Sequence, residues 1–288
     1  MRFHKYILLA FAALVFISCD TINEPYVKDF SQGNGDTSEI KRKILLEDYT
    51  GFRCGNCPEA AEQAHHLQQA YGEQLIMMAV HAGPFARPLP SHPYDFRTEV
   101  GTTFDDFFKI SNSGNPNGMV NRVEQSGSRI ISPGGWEQAI IDELEREPEV
   151  NITLAPEYDH VNFGITVSAT ITYLKPGSSN HNISLMLIEN NFKQFQVDDR
   201  ADPPEIEDFN HMHVLRDALN GTWGTQIHDG QISANDTFTK EIKYTIKPEN
   251  RAGGEYPWNP DELHIIAYVH DYQQSYRILQ AEEVKLIK

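Results

Sequence analysis

The chain has 288 residues, of which 40% are hydrophobic and 23% are charged, and its formal net charge is −17 at pH 7. A chain this acidic is not expected to bind nucleic acid or anionic lipid through bulk electrostatics, which excludes those two classes of partner. The length exceeds the commonest size of a single domain, so the sequence predicts more than one domain.

The first residues have the features of a secretion signal. Arg2 and Lys5 provide a basic start, and the uncharged apolar run at 6–17 is too short for a stable membrane span. The run leads into the sequence FISC, which ends at Cys19 and resembles a bacterial lipobox. We therefore predict a lipoprotein signal peptide at 1–18 and a lipid anchor at Cys19. The alternative is an ordinary secretion signal that leaves one unpaired thiol.

The segment after the signal is predicted to be a tether. Residues 19–40 are rich in Asp, Asn, Ser, Gly and Thr and have few large apolar side chains, so they cannot repay the entropy cost of ordering. No later segment is apolar enough to span a bilayer. The pattern of apolar residues changes near Pro148, which predicts one domain at 41–148 and a second at 149–288.

The first domain is predicted to alternate strands and helices. Apolar runs at 43–49 and 74–80 indicate buried strands, and 58–71 has the periodicity of a helix. The later elements are a helix within 98–110, short paired strands at 118–123 and 128–131, and a helix that begins at Gly134 or Gly135.

Two cysteines three residues apart, Cys54 and Cys57, lie where the first strand leads into the first helix. Asp48 precedes them on the strand, and Asn115-Pro116 stands just ahead of the third strand. Together these features resemble the thioredoxin fold over roughly residues 41–148. The resemblance implies a buried acid and a cis-proline beside the cysteines. The Gly-Asn dipeptide between the cysteines does not indicate a redox potential.

This arrangement predicts thiol-disulfide chemistry. A thiolate at a helix N-terminus is stabilised by the helix dipole, so Cys54 is expected to have a lowered pKa, and Arg53 would act in the same direction. Cys57 would then be the resolving thiol, and Asp48 would accept its proton. The alternatives are an inert structural disulfide or a metal site. His65, which lies two turns up the helix from Cys57, is too distant to share a zinc ion with it.

The predicted substrate-binding residues surround the cysteines. They are Arg53, Asn115, Pro116 and His81, the last because it ends the second strand at the same edge of the sheet. The loop at 81–88 has an alternative interpretation as an ordinary connection stiffened by proline. We predict no metal and no cofactor.

The second domain is predicted to be an all-β sandwich. Residues 161–173 alternate apolar and polar side chains without error, as in a half-buried strand, and similar runs follow. The exception is 209–220, which predicts a short helix with His211 and His213 in surface or capping positions. The acidic run at 198–208 is interpreted as a solvated loop, since it lacks the spacing of a calcium loop.

Short motifs along the chain resemble the Omp28-related outer-membrane lipoproteins of Gram-negative bacteria. They are LEDYTG at 46–51, CGNCP at 54–58, HAGP at 81–84, GNP at 114–116, VNR at 120–122, HVLR at 213–216 and NG at 220–221.

The resemblance implies a thioredoxin-like domain, a C-terminal β domain and attachment to the outer membrane. It does not decide which face of that membrane carries the protein. Two functions follow. One is thiol-disulfide exchange with cysteine-containing envelope proteins. The other is a surface binding or adhesion module, in which the disulfide is only structural.

Overall fold

A computed structural model describes residues 40–287. The predicted signal peptide, Cys19 and nearly all of the predicted tether lie outside these residues. Within the described part of the chain, no helix combines the length and apolar character needed to cross a membrane.

Apart from the strand expected at 128–131, the first half of the described chain has the predicted order of strands and helices, so the chain is a mixed α/β protein. The elements are β1 (Ile44–Thr50), α1 (Cys57–Tyr71), β2 (Leu75–His81), α2 (Glu99–Phe108), β3 (Asn117–Val120) and α3 (Trp136–Leu144).

The second half consists of strands connected by turns and short 3-10 helices. The strands are β4 (Val150–Asp159), β5 (Gly164–Tyr173), β6 (His181–Glu189), β7 (Phe192–Val197), β8 (Glu205–His211), β9 (Val214–Ala218), β10 (Thr225–Gln226), β11 (Thr237–Thr245), β12 (Leu263–Asp271) and β13 (Ile278–Lys285).

One eight-stranded sheet contains strands from both halves. Its order is β13-β12-β6-β9-β2-β1-β3, and β10 pairs with β6. β1 and β2 are parallel, whereas β3 runs antiparallel to β1. The two halves join where β9 pairs with β2, at Ala79 and Val214. Strands from both predicted domains therefore share a sheet, and the domain boundaries themselves stay predictions.

The first strands are covered on both faces, which explains their nearly continuous apolar sequences. Ile44 and Leu46 of β1 pack with Ala64 of α1 and Trp136 of α3. On the other face, Leu45 and Tyr49 belong to a separate cluster that includes Phe104 of α2. All seven residues of β1 are consequently buried.

A three-stranded sheet, β11-β5-β4, forms a second layer in the C-terminal half. Alternate residues of β5 are buried, as the alternation at 161–173 predicts. Val167 and Ile171 of this strand share a hydrophobic cluster with Leu185 of β6 and Ile265 of β12. Side chains from both sheets therefore build this core.

The turn after β3 differs from the predicted strand pair. Asn121 and Arg122 have positive φ angles of 47° and 54°, and they bend the chain away directly after Val120. Arg122 then donates two hydrogen bonds of 2.8 Å to Glu47, and both side chains are fully buried. The expected pairing with 128–131 is reduced to isolated bridges, one of which joins Gly118 and Ile131.

The helix predicted at 209–220 is wrong. This segment contains the end of β8, a turn at His213 with φ of 56°, and β9. Val214 and Leu215 are buried between β2 and β6, so pairing with two neighbouring strands decides their conformation rather than the local helical pattern. The acidic run is also more ordered than predicted, because Glu205–His211 is β8 and Asp198 is buried.

Candidate functional site

The candidate site is centred on a disulfide between Cys54 and Cys57, whose Cα atoms are 5.4 Å apart. Cys57 is the first residue of α1, and Asn56 is the N-cap. In the described structure the Asn56 side chain makes no capping hydrogen bond. The positive end of the α1 dipole thus lies next to the disulfide without a side-chain cap.

A hairpin from the second half covers the disulfide. The Gln196 amide donates to the Cys54 carbonyl at 3.2 Å, and the backbone N–H groups of Val197 and Asp199 donate to Phe52 and Gly55. A Cβ atom on Gly55 would overlap the Asp199 carboxylate, so a larger residue here would displace that side chain. Cys54 and Cys57 are only 3% and 2% exposed. This cover joins segments about 140 residues apart, and no local motif predicts it.

Asp48 lies in β1, six residues before Cys54. Its side chain is buried, and burial raises its pKa to about 7. Its Oδ1 atom has no hydrogen-bond partner among the atoms of residues 40–287. Asp48 and Cys57 line the same cavity, so the structure brings together the predicted acid and the predicted resolving cysteine.

The other predicted site residues are Arg53, Asn115, Pro116 and His81. Arg53 is exposed, and its guanidinium donates to the Pro84 carbonyl at 3.5 Å. The Asn115-Pro116 peptide bond is cis. The following residue, Asn117, pairs with Tyr49 near the end of β1, from which the chain runs on to Cys54.

His81 ends β2 and is buried in the cavity wall. Its ring stacks on Phe96 at a centroid distance of 4.3 Å and lies 5.5 Å from the ring of His211. Burial, followed by the charges of His211 and Arg216, lowers the pKa of His81 well below its usual value. The imidazole is therefore neutral at pH 7.

The surface positions predicted for His211 and His213 are wrong. The two residues are 5% and 7% exposed, and both line the cavity beside His81. Burial lowers the pKa of each to about 4. The correction has the same cause as the failed helix, because the strands β8 and β9 turn these side chains inward. His65, by contrast, is exposed on α1.

Fold and site together define a mixed α/β protein with a buried CxxC disulfide next to a buried acid. The family model of outer membrane protein Omp28 matches residues 102–288, which is more than half of the chain. The chain therefore belongs to the Omp28 family of outer membrane proteins, and the resemblance noted in its motifs is confirmed.

Two solved structures share the fold. HBP35 of Porphyromonas gingivalis is similar with a TM-score of 0.61 and 18% sequence identity, over 88% of this chain and 77% of that one. A protein from Agrobacterium tumefaciens is similar with a TM-score of 0.51 and 10% identity, over 86% and 96% of the two chains. The comparison with curated proteins gave no significant match.

Proposed function

We propose that this chain is a lipid-anchored envelope protein that exchanges disulfides with cysteine-containing proteins. In this proposal residues 41–148 form a thioredoxin-like domain and 149–288 a β-sandwich domain. The observation that carries the proposal is the Cys54–Cys57 disulfide at the uncapped N-terminus of α1, next to the buried Asp48. The order of β1, α1, β2, α2, β3 and α3 supports the thioredoxin-like assignment.

The proposed exchange begins with the reduced protein and an oxidised partner. The Cys54 thiolate, stabilised by the helix N-terminus, attacks one sulfur of the partner's disulfide. The partner's S–S bond breaks, a mixed disulfide forms, and one partner thiolate leaves. Arg53, Asn115, Pro116 and His81 are proposed to contact the partner.

The second step regenerates the disulfide of this chain. The Cys57 thiol transfers its proton to the Asp48 carboxylate and attacks the sulfur of Cys54. The mixed disulfide breaks, the second partner thiolate leaves, and the partner has gained two electrons. A carboxyl group with a pKa of about 7 suits this role, because both of its protonation states are populated at neutral pH. Exchange also requires the β7–β8 hairpin to open, since it covers both cysteines.

The near-complete burial of both cysteines favours a second function. The disulfide would then be structural, and the protein would be a surface binding or adhesion module. The two functions differ in the stability of the disulfide toward reductants.

Equilibration with thiol redox buffers distinguishes the exchange function from the binding-module function. We use the full chain with Cys19→Ala, so that only Cys54 and Cys57 react with an alkylating agent, and count alkylated cysteines by mass. An exchange disulfide is expected to be half-reduced at a potential above about −300 mV, as in known exchange proteins. A disulfide that stays oxidised below that potential contradicts exchange and supports the binding module.

The lipid anchor is tested separately. The wild-type chain is expected to remain in the membrane fraction after a salt wash, and Cys19→Ala is expected to be released, because the acidic chain has no bulk attraction to lipid. A Cys54→Ser/Cys57→Ser chain is the control and should stay with the membrane. Equal retention of wild type and Cys19→Ala would refute the anchor.

A further inference from the structure

A cavity of about 200 Å³ extends from the disulfide toward the turn between β8 and β9. The proposed exchange uses Cys57 and Asp48 at one end of it. Three buried histidines, His81, His211 and His213, also line its wall. His81 has only a partner-contacting role in the proposed exchange, and His211 and His213 have none.

The wall contains an unusual concentration of unpartnered polar atoms. Within residues 40–287, no hydrogen-bond partner is present for Asp48 Oδ1, His81 Nδ1, His211 Nε2 or His213 Nδ1. Each of these residues is more than nine-tenths buried. Buried polar groups in folded proteins nearly always have a partner, because leaving one unpaired is costly. A bound group that supplies hydrogen bonds would remove this cost.

Most of the wall's accessible surface is apolar, and Met77, Met78 and Phe209 contribute to it. Polar side chains such as Thr50 and Gln196 also line the cavity. A protein cavity of roughly 150 Å³ with an apolar lining accommodates benzene. The space here therefore suits one aromatic ring with a few additional atoms. The exposed side chains of Glu62 and Met212 mark the entrance, which lies between α1 and the β8–β9 turn.

The charged side chains around the cavity disfavour an anion. Glu62 accepts a hydrogen bond from Arg200 at 2.8 Å, and Arg216 donates to Glu189 at 2.7 Å, so the positive charges of both arginines are engaged by carboxylates. A negatively charged ligand would lose its hydration without gaining an ion pair from them. A metal ion is not favoured either, because no three His, Cys, Asp or Glu side chains of the described residues are arranged to hold one.

We propose that this cavity binds a neutral aromatic group that carries a hydrogen-bonding atom, of the size of phenol or indole. The ring packs on the apolar wall, and its O–H or N–H donates to the Asp48 carboxylate or to one unprotonated nitrogen of the buried histidines. This inference does not depend on disulfide exchange, since the same cavity would serve a chain whose disulfide is structural.

The test compares small probes on the purified full chain in its oxidised state, by calorimetry or ligand-observed NMR. Phenol and indole are expected to bind at least about tenfold more tightly than benzene, because benzene leaves the buried polar atoms unpaired. Their affinities should exceed that of benzoate by a similar factor, because benzoate brings a negative charge that finds no free cation among the described residues of the wall. N-acetyltyrosinamide distinguishes two sources of the bound aromatic group. Binding similar to that of phenol indicates a tyrosine side chain of a partner, and exclusion of this probe indicates a free small molecule.

A variant locates the binding. Ala61 lines the cavity from the half-exposed face of α1, so Ala61→Trp is expected to weaken phenol binding at least about tenfold by blocking the space. Ala70→Trp is the matched control, because Ala70 is exposed on the same helix outside the cavity. Benzene binding as tightly as phenol, no binding of either at millimolar concentration, or equal effects of the two variants would each overturn the proposal.

Discussion

Asp48→Asn is expected to stabilise the folded, oxidised chain by ~4 kcal/mol at pH 8 and to leave its stability nearly unchanged at pH 4. The cause is the burial of the carboxyl group. Burial disfavours its charged form and raises the pKa of Asp48 from 3.8 to about 7. Asparagine keeps the shape of the side chain but does not ionise.

The direction of this pH dependence follows from the number of protons that Asp48 binds in the folded and in the unfolded chain. Below pH 3.8 Asp48 is protonated in both the folded and the unfolded chain, so it causes no loss of stability. Between pH 4 and pH 7 the unfolded chain loses this proton more readily than the folded chain, and folding stability falls as the pH rises. Above pH 7 both states are ionised and the loss is constant. The two pKa values differ by about three pH units, each worth about 1.4 kcal/mol.

Urea unfolding of wild type and variant at pH 4, 6 and 8 measures this difference directly. Asp106→Asn is the matched control, because Asp106 is an exposed carboxylate on α2, and surface substitutions usually change stability by less than about 0.5 kcal/mol. A difference between wild type and Asp48→Asn that is the same at all three pH values would show that Asp48 does not titrate in the folded chain as described.

Local periodicity predicted much of the fold. The alternation at 161–173 predicted the buried face of β5, and the apolar spacing at 58–71 predicted α1, whose Ala60, Ala64 and Leu67 are buried. These patterns succeed because each element buries one face, or both, irrespective of which neighbour covers it. The position of Cys57 at the start of α1 followed from the same reasoning.

The parts that were not predictable depend on distant segments. Val214 and Leu215 fit a helix or a strand, and their pairing between β2 and β6 decides for the strand. The cover over Cys54 comes from Gln196 and its neighbours. Neither arrangement leaves a periodic signal near the residues it affects.

In the candidate site, too, the local parts were predicted and the parts built from distant segments were not. The disulfide and Asp48 belong to one strand–helix junction. The spacing of the two cysteines drew attention to this junction, and the resemblance to the thioredoxin fold implied the buried acid. The histidine cluster was missed, because His81 reaches the cavity from β2, whereas His211 and His213 reach it from β8 and the following turn. The sequence places these residues about 130 positions apart. A dense group of histidines near β8 was the one available signal.

Trapping of a mixed disulfide has the largest expected effect and tests the central claim, that Cys54 attacks a partner and Cys57 resolves the intermediate. Without Cys57 the first step still occurs, but the second step cannot. In a Cys19→Ala background, reduced Cys57→Ser chain is mixed with an oxidised, disulfide-containing protein. It is then separated on a non-reducing gel and by mass spectrometry.

Cys57→Ser is expected to accumulate a covalent adduct through Cys54 that dissolves on reduction. Cys54→Ser is the matched control and is expected to form little adduct, because in this mechanism Cys57 resolves the mixed disulfide and does not attack the partner. The reduced wild-type chain should release its partner and return to the Cys54–Cys57 disulfide. No adduct through Cys54, or equal adducts through Cys54 and Cys57, would contradict this mechanism.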